Sequence, residues 1–144
     1  MGRNNQRYNF AKFAGINGIE EMQIEKITRN NVEIANIKAD ETVITDAQSA
    51  VDLMMTVKYQ TEIKNIAISK NLIADSFFVL SSGLAGEILQ KFVNYRFRIA
   101  IYGNFSHYTS KPLKDFIYES NNGHDVFFTD DLESAVKKLA FNVI

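Results

Sequence analysis

From Met22 to about residue 140, short apolar runs of strand character alternate with longer stretches of helical spacing, and this alternation leaves few folds open. A strand followed by a helix and another strand returns to the same end of a sheet, so the two strands run parallel, with a right-handed crossover in nearly every known case. The strand runs are Ile63 to Ser69 (IKNIAIS), Arg96 to Tyr102 (RFRIAIY) and Val126 to Thr129 (VFFT). Only the first pair departs from this rule. QIEKIT (23–28) and VEIANI (32–37) are separated by just Arg29-Asn30-Asn31, which reads as a β-hairpin with one buried face. Val43-Ile44 adds a short extra strand.

The helical stretches carry their own start and stop signals. Thr45-Asp46-Ala47-Gln48 matches a capping box, and the helix it opens puts Ala47, Ala50, Val51, Met54 and Val57 on one face. Pro112 suits a first helical turn, where its missing N–H has no partner to lose, and Asn121-Asn122-Gly123 is a terminator that tolerates positive φ. Asp130-Asp131-Leu132-Glu133 opens a last helix through Ala140, with negative charge at its positive dipole end. The fold expected is α/β: one domain over residues 22–144, with an N-terminal antiparallel hairpin followed by parallel strands joined by crossover helices. Residues 1–21, rich in Asn and Gly and without periodicity, read as a flexible extension or tail, or as a partner-binding arm using Tyr8, Phe10 and Phe13.

Composition narrows the function. With a net charge of -1, the chain lacks the basic footprint of a nucleic-acid binder. The absence of cysteine excludes disulfides and thiolate metal sites, and two histidines make a multi-histidine centre a poor fit, so no metal or other cofactor is expected. No run is apolar for the roughly 18–20 residues a membrane span needs. A soluble cytoplasmic protein is the expectation.

DSFFVLSSGLAGEILQKFVN (75–94) is the longest apolar-rich stretch, yet it contains Gly83 and Gly86. A helix capped by Asp75 or Ser76 would bury a wide apolar arc and leave Gly83, Gly86, Glu87, Gln90 and Asn94 on the remaining stripe. Glycine inside a helix costs about 1 kcal/mol but lets another backbone approach. Three readings stay open: a neighbouring helix crosses there, a partner or second copy docks there, or Ser81-Ser82-Gly83 breaks the segment and Ser82 caps a new helix.

Ligands of open α/β sheets gather beyond the carboxyl ends of the strands. There the sequence places Lys70, Asn71, Asp75, Asn104, Ser106, His107, Tyr108, Ser110 and Lys111, around a loop that feeds a helix N-terminus and could surround a small anionic or polar ligand. The same loop also reads as ordinary solvated chain in which Ser110 merely caps a helix. Motifs for covalent or nucleotide chemistry (GxSxG, GxxxxGK[ST], GxGxxG) are absent, so an enzyme is the less favoured reading. His124 reads as a surface histidine, and the basic run Lys91 to Arg98 as charge suited to a helix C-terminus.

ITDAQSAVDLM, DSFFVLSSGLAGEILQKFVNYR, IAIYGNFSHYTSKPLKDFIYESN and VFFTDDLESAVKKL together resemble a bacterial family known as a domain of unknown function (number 4180), over about residues 22–140. The element order is also similar to the STAS fold of sulphate transporters and anti-sigma-factor antagonists. In that fold a strand leads into a helix through an Asp-Ser-Ser-Gly-Leu box, and IAISKNLIADSFFVL fits the frame with Asp75 and Ser76 on the first two positions. The third position, the serine phosphorylated in the antagonists, falls on Phe77, so the resemblance implies a STAS-like module without the phosphoswitch. The role it implies is that of a non-enzymatic regulatory module that docks a protein partner or forms a homodimer. The rival is a small-ligand binder or minor enzyme at the 104–111 loop, with His107 as a proton carrier.

Overall fold

Why the hairpin forms is visible at its turn. Asn30 and Asn31 both adopt positive φ (55° and 62°), the two-residue turn whose twist matches paired strands, and asparagine tolerates that region better than most residues. The turn joins β2 (Met22–Arg29) to β3 (Val32–Ala39) in an antiparallel pair with Ile24 opposite Ile37. The computed structural model describes residues 4–10 and 22–143. Asn4–Phe10, expected to lack structure, forms strand β1, antiparallel to β2. The rest of the expected extension, residues 1–3 and 11–21, lies outside the described residues, including Phe13.

β4 (Asn65–Ser69), β5 (Arg98–Tyr102) and β6 (Val126–Thr129) then add in turn, each parallel to the strand before it. The sheet order is β1-β2-β3-β4-β5-β6, the order of the chain itself. Both β4 and β5 start two residues later than the sequence suggests. Val43-Ile44 contributes only an isolated parallel bridge, Ile44 to Ile73.

Side-chain alternation sorts the sheet into two faces. Ile24, Ile37, Ile68, Ile101 and Phe128 form one register row on the first face. Among the described residues, three helices cover it: α1 (Ala47–Thr61), α2 (Leu84–Asn94) and α3 (Lys111–Asn121). The second face carries the row Asn36, Ala67, Ala100 and Phe127, and α4 (Leu132–Phe141) packs on it through Ala135, Val136, Leu139 and Ala140. Because each of these helices follows a strand and runs back along the sheet, α1 to α4 start at the strands' carboxyl rim and end at their amino rim.

The caps shift by a residue from their sequence positions. α1 is capped by Asp46, whose carboxylate accepts from the Ser49 N–H at 2.8 Å, while Ser49 Oγ accepts from the Asp46 N–H at 3.0 Å. Ser49 thus takes the place expected of Gln48, and Thr45 stays beside the box, its N–H donating to Ser49 Oγ at 2.8 Å. Leu53 joins Ala50, Met54 and Val57 in the core, while Ala47 and Val51 are only half-buried. In the same way α4 is capped by Asp131, not Asp130.

Candidate functional site

Past β4 and β5 the chain turns at the carboxyl rim, and the residues there decide whether a site opens. Ser69 Oγ accepts from the Asn71 N–H at 3.1 Å and holds a 3₁₀ turn, Lys70–Leu72. β5 ends at Gly103, φ 152°, where a Cβ would lie 2.8 Å from Lys70 Cγ. Glycine is therefore required for the lysine stem to cross the strand end. The Lys70 ammonium then sits 5.4 Å from the centre of the Tyr108 ring, a cation–π distance.

The loop after β5 is fastened down by its aromatic residues. Phe105 lies 5.7 Å edge-on to Phe128 and 6.0 Å from Phe78, and Tyr108 stacks on Phe78 at 5.2 Å. His107 leans on Tyr108 with ring centres 4.2 Å apart. Aromatic pairs at these distances add to the area they bury. Phe105 and Tyr108 thus fill the space over the strand ends that a ligand would need.

The polar residues of the loop are spent on local geometry. Asn104 Oδ1 accepts from the Ser106 N–H at 2.9 Å, and Ser110 Oγ from the Leu113 N–H at 3.4 Å as the cap of α3. Lys111 pairs with Asp115 at 2.7 Å; both are exposed, and that hydrogen bond, then the charge behind it, raises the ammonium's pKa. Of the residues expected around a ligand, the structure gathers Lys70 and His107 about Tyr108. Asn71 and Asp75 are both exposed, each within a 3₁₀ turn, and Asn104, Ser106, Ser110 and Lys111 take the roles just described. The geometry offers an ammonium and an imidazole on a surface rather than in a cleft.

The segment with the two glycines breaks at Ser81-Ser82-Gly83, as the third reading has it, but the new helix has Gly83 and not Ser82 at its N-cap, with no side-chain cap bond. Asp75–Phe78 and Leu80–Ser82 are 3₁₀ turns, Gly83 is left-handed at φ 79°, and α2 starts only at Leu84. The Ser82 hydroxyl donates to the Ser76 carbonyl at 2.7 Å and accepts from the Leu84 N–H at 3.2 Å. Neither Asp75 nor Ser76 caps a helix, because the turn's N-cap is Ala74 and carries no side-chain bond. Phe77 and Phe78 are both buried there, their rings edge-on with centres 4.9 Å apart. The close-packing explanation of the glycines is overturned, since a Cβ at Gly83 or Gly86 would meet nothing within 4 Å. Gly83, Gly86, Glu87, Gln90 and Asn94 are all exposed, and Gln90 Nε2 donates to Asn94 Oδ1 at 2.9 Å. Val93 and Tyr95, beside this stripe, are 51% and 43% exposed.

Three features went unread in the sequence. Asn36, fully buried on the α4 face, donates to Glu25 Oε1 at 3.1 Å and accepts from the Tyr102 hydroxyl at 2.8 Å. Burial raises the Tyr102 pKa; the Asn36 bond opposes the rise, and the Glu25 charge adds to it. Only the strand register brings these three together, so no local motif announces them. Arg98 donates to the carbonyls of Leu139 (3.0 Å), Asn142 (2.8 Å) and His124 (2.7 Å), closing the end of α4; burial, against the pull of Asp125, lowers its pKa. In the sequence Arg98 reads only as part of a basic run at a helix C-terminus; the helix whose last carbonyls it meets is α4, not the α2 that precedes it. Asn121, read as a helix terminator, also donates to the Phe128 carbonyl at 3.1 Å and accepts from its N–H at 2.7 Å.

No group of side chains suited to a metal ion occurs among the described residues, and no described helix is long and apolar enough to cross a membrane. No curated protein and no solved structure matches the chain. One family model does, that of Domain of unknown function (DUF4180), over residues 29–139 and so most of the chain. That span holds β3 to β6 and all of α1 to α3, and it runs into the last turns of α4. The chain belongs to the DUF4180 family.

Proposed function

We propose that this chain is a non-enzymatic, cytoplasmic regulatory module of STAS-like fold that works by docking a protein partner, or a second copy, on the outer face of α2. The observation that carries this reading is the stripe Gly86, Glu87, Gln90 and Asn94, wholly exposed and flanked by the exposed apolar side chains of Val93 and Tyr95. Exposed apolar side chains bordered by polar ones supply the two parts an interface needs, an apolar centre and a polar rim. In the STAS-like frame, Phe77 occupies the place of the phosphorylated serine and is buried, so control would come from occupancy of the face and not from phosphate.

The test adds bulk where it cannot disturb the core. Gly86→Leu places its side chain in open space, and it should reduce partner or self-association by about tenfold, read by native mass measurement and sedimentation. His107→Ala and Lys111→Ala should leave that association unchanged. The opposite pattern, association indifferent to Gly86→Leu and a bound small molecule lost with His107 or Lys111, would replace this reading with a ligand site at the 104–111 loop.

A further inference from the structure

Exposed large apolar side chains are unevenly placed on this molecule. Tyr59 (86%), Val93, Tyr95, Tyr118, Phe141 and Val143 all stand on the last turns of helices or just beyond them. Since α1 to α4 end at the strands' amino rim, these side chains share one end of the molecule; among the described residues, Val79 alone of the exposed large ones lies toward the other. Charge divides the same way among the described residues. Setting aside the Arg29–Glu133 and Lys26–Glu33 pairs, basic residues outnumber acidic ones over the later halves of the helices and the strand starts. The carboxyl rim carries the reverse excess, of acidic over basic.

A hollow of about 630 Å³ opens in this amino rim, lined by Met55, Lys58, Tyr59, Glu62 and Lys64. A second, of about 600 Å³, adjoins it through Glu62 and Lys64 and continues to Val143. Helix dipoles explain why lysines stand at helix ends. They do not explain an 86% exposed tyrosine beside a methionine-floored hollow.

We infer that this hollow is a docking site for an acidic segment of a partner protein, seating an apolar side chain against Met55 and Tyr59 while flanking carboxylates meet Lys58 and Lys64. The inference rests on the interaction reading above and adds a face distinct from that of α2. Charge complementarity selects the occupant: a basic rim attracts an acidic segment and speeds its encounter. A second copy would offer its acidic rim, where Val79 is the one exposed large apolar anchor among the described residues. A lipid surface would meet a concave hollow with the acidic Glu62 in its lining.

Selection from a displayed library of random short peptides tests this. Against the whole chain, the recovered peptides should carry Asp or Glu around Leu, Phe or Tyr and bind less tightly as salt rises. Affinity should fall about tenfold or more with Lys58→Glu combined with Lys64→Glu, and similarly with Tyr59→Ala. Those three positions are exposed, so circular dichroism should show an unchanged fold. Peptides without acidic residues, or equal binding to the variants, overturn the inference. So does binding of the chain to vesicles about one-third phosphatidylserine with no acidic peptide recovered, or self-association abolished by the lysine changes. Gly86→Leu separates the two proposals: peptides still held by that variant keep the hollow even where the α2 face fails, and peptides lost only with Gly86→Leu place docking on α2 instead.

Discussion

Gly83 and Glu62 occupy the same left-handed backbone region, at φ 79° and 63°, with opposite chemical suitability. Gly83 has no Cβ to clash, so Gly83→Ala should lower stability by about 1 kcal/mol through backbone strain alone. Glu62 follows the end of α1 and closes it with an N–H to the Lys58 carbonyl at 2.8 Å, a place where glycine is at home. Glu62→Gly should therefore raise stability by up to about 1 kcal/mol, and thermal melts of both variants check the pair. Tyr102 gives a pH-dependent counterpart. Its pKa is raised in the folded chain, so its contribution is complete below the unfolded value, near 10, and is lost as pH rises from there through the folded value. Tyr102→Phe should cost about 1 kcal/mol at neutral pH, and its stability should fall less between pH 9 and 11, measured by denaturant titration. An alkaline loss as steep as the wild type's would show that Tyr102 is not its source. Neither Asn36 nor Tyr102 was marked by a motif: each read as an ordinary strand position, and only pairing across β3, β4 and β5 makes them partners.

The boundaries of the secondary elements were legible wherever turn chemistry is local. Asn30-Asn31 and Pro112 fell where their backbone preferences put them, and α3 stops at Asn121 as expected, though without positive φ, Asn122 lying at -86°. The start of α2 stayed open in the sequence, because the apolar spacing continues across Ser81-Ser82-Gly83 and only the left-handed turn at Gly83 sets it. The edge strand β6 shows a further device. Asn121 presents its amide to the outward N–H and C=O of Phe128 as a neighbouring strand would, and so leaves less unpaired backbone for another chain to join. Asn121→Ala should lower stability by roughly 1–2 kcal/mol and promote concentration-dependent association, seen together in melting and sedimentation. A variant that melts unchanged and stays dispersed at high concentration would rule out the edge-capping role.

Taken whole, the molecule is built asymmetrically: among the described residues, three helices cover one face of the sheet and α4 alone covers the other. α4 approaches closely because Ala67 and Ala100 beneath it are small and meet Ala135 and Ala140. Ala100→Leu should cost about 1–3 kcal/mol by overpacking, measured by denaturant titration; an equal cost from Ala85→Leu, on α2, would deny α4 its special closeness. Alternating strand and helix signals made this architecture readable from the chain: the antiparallel hairpin and the parallel pairing of β4 with β5 follow from spacing alone. The candidate site was less readable, because residue types in the 104–111 loop do not disclose that Phe105 and Tyr108 fold inward. The match between sheet order and chain order also bears on synthesis. Each new strand leaving the ribosome finds its neighbour already laid down, so the protein can be assembled from one end to the other without waiting for a distant segment.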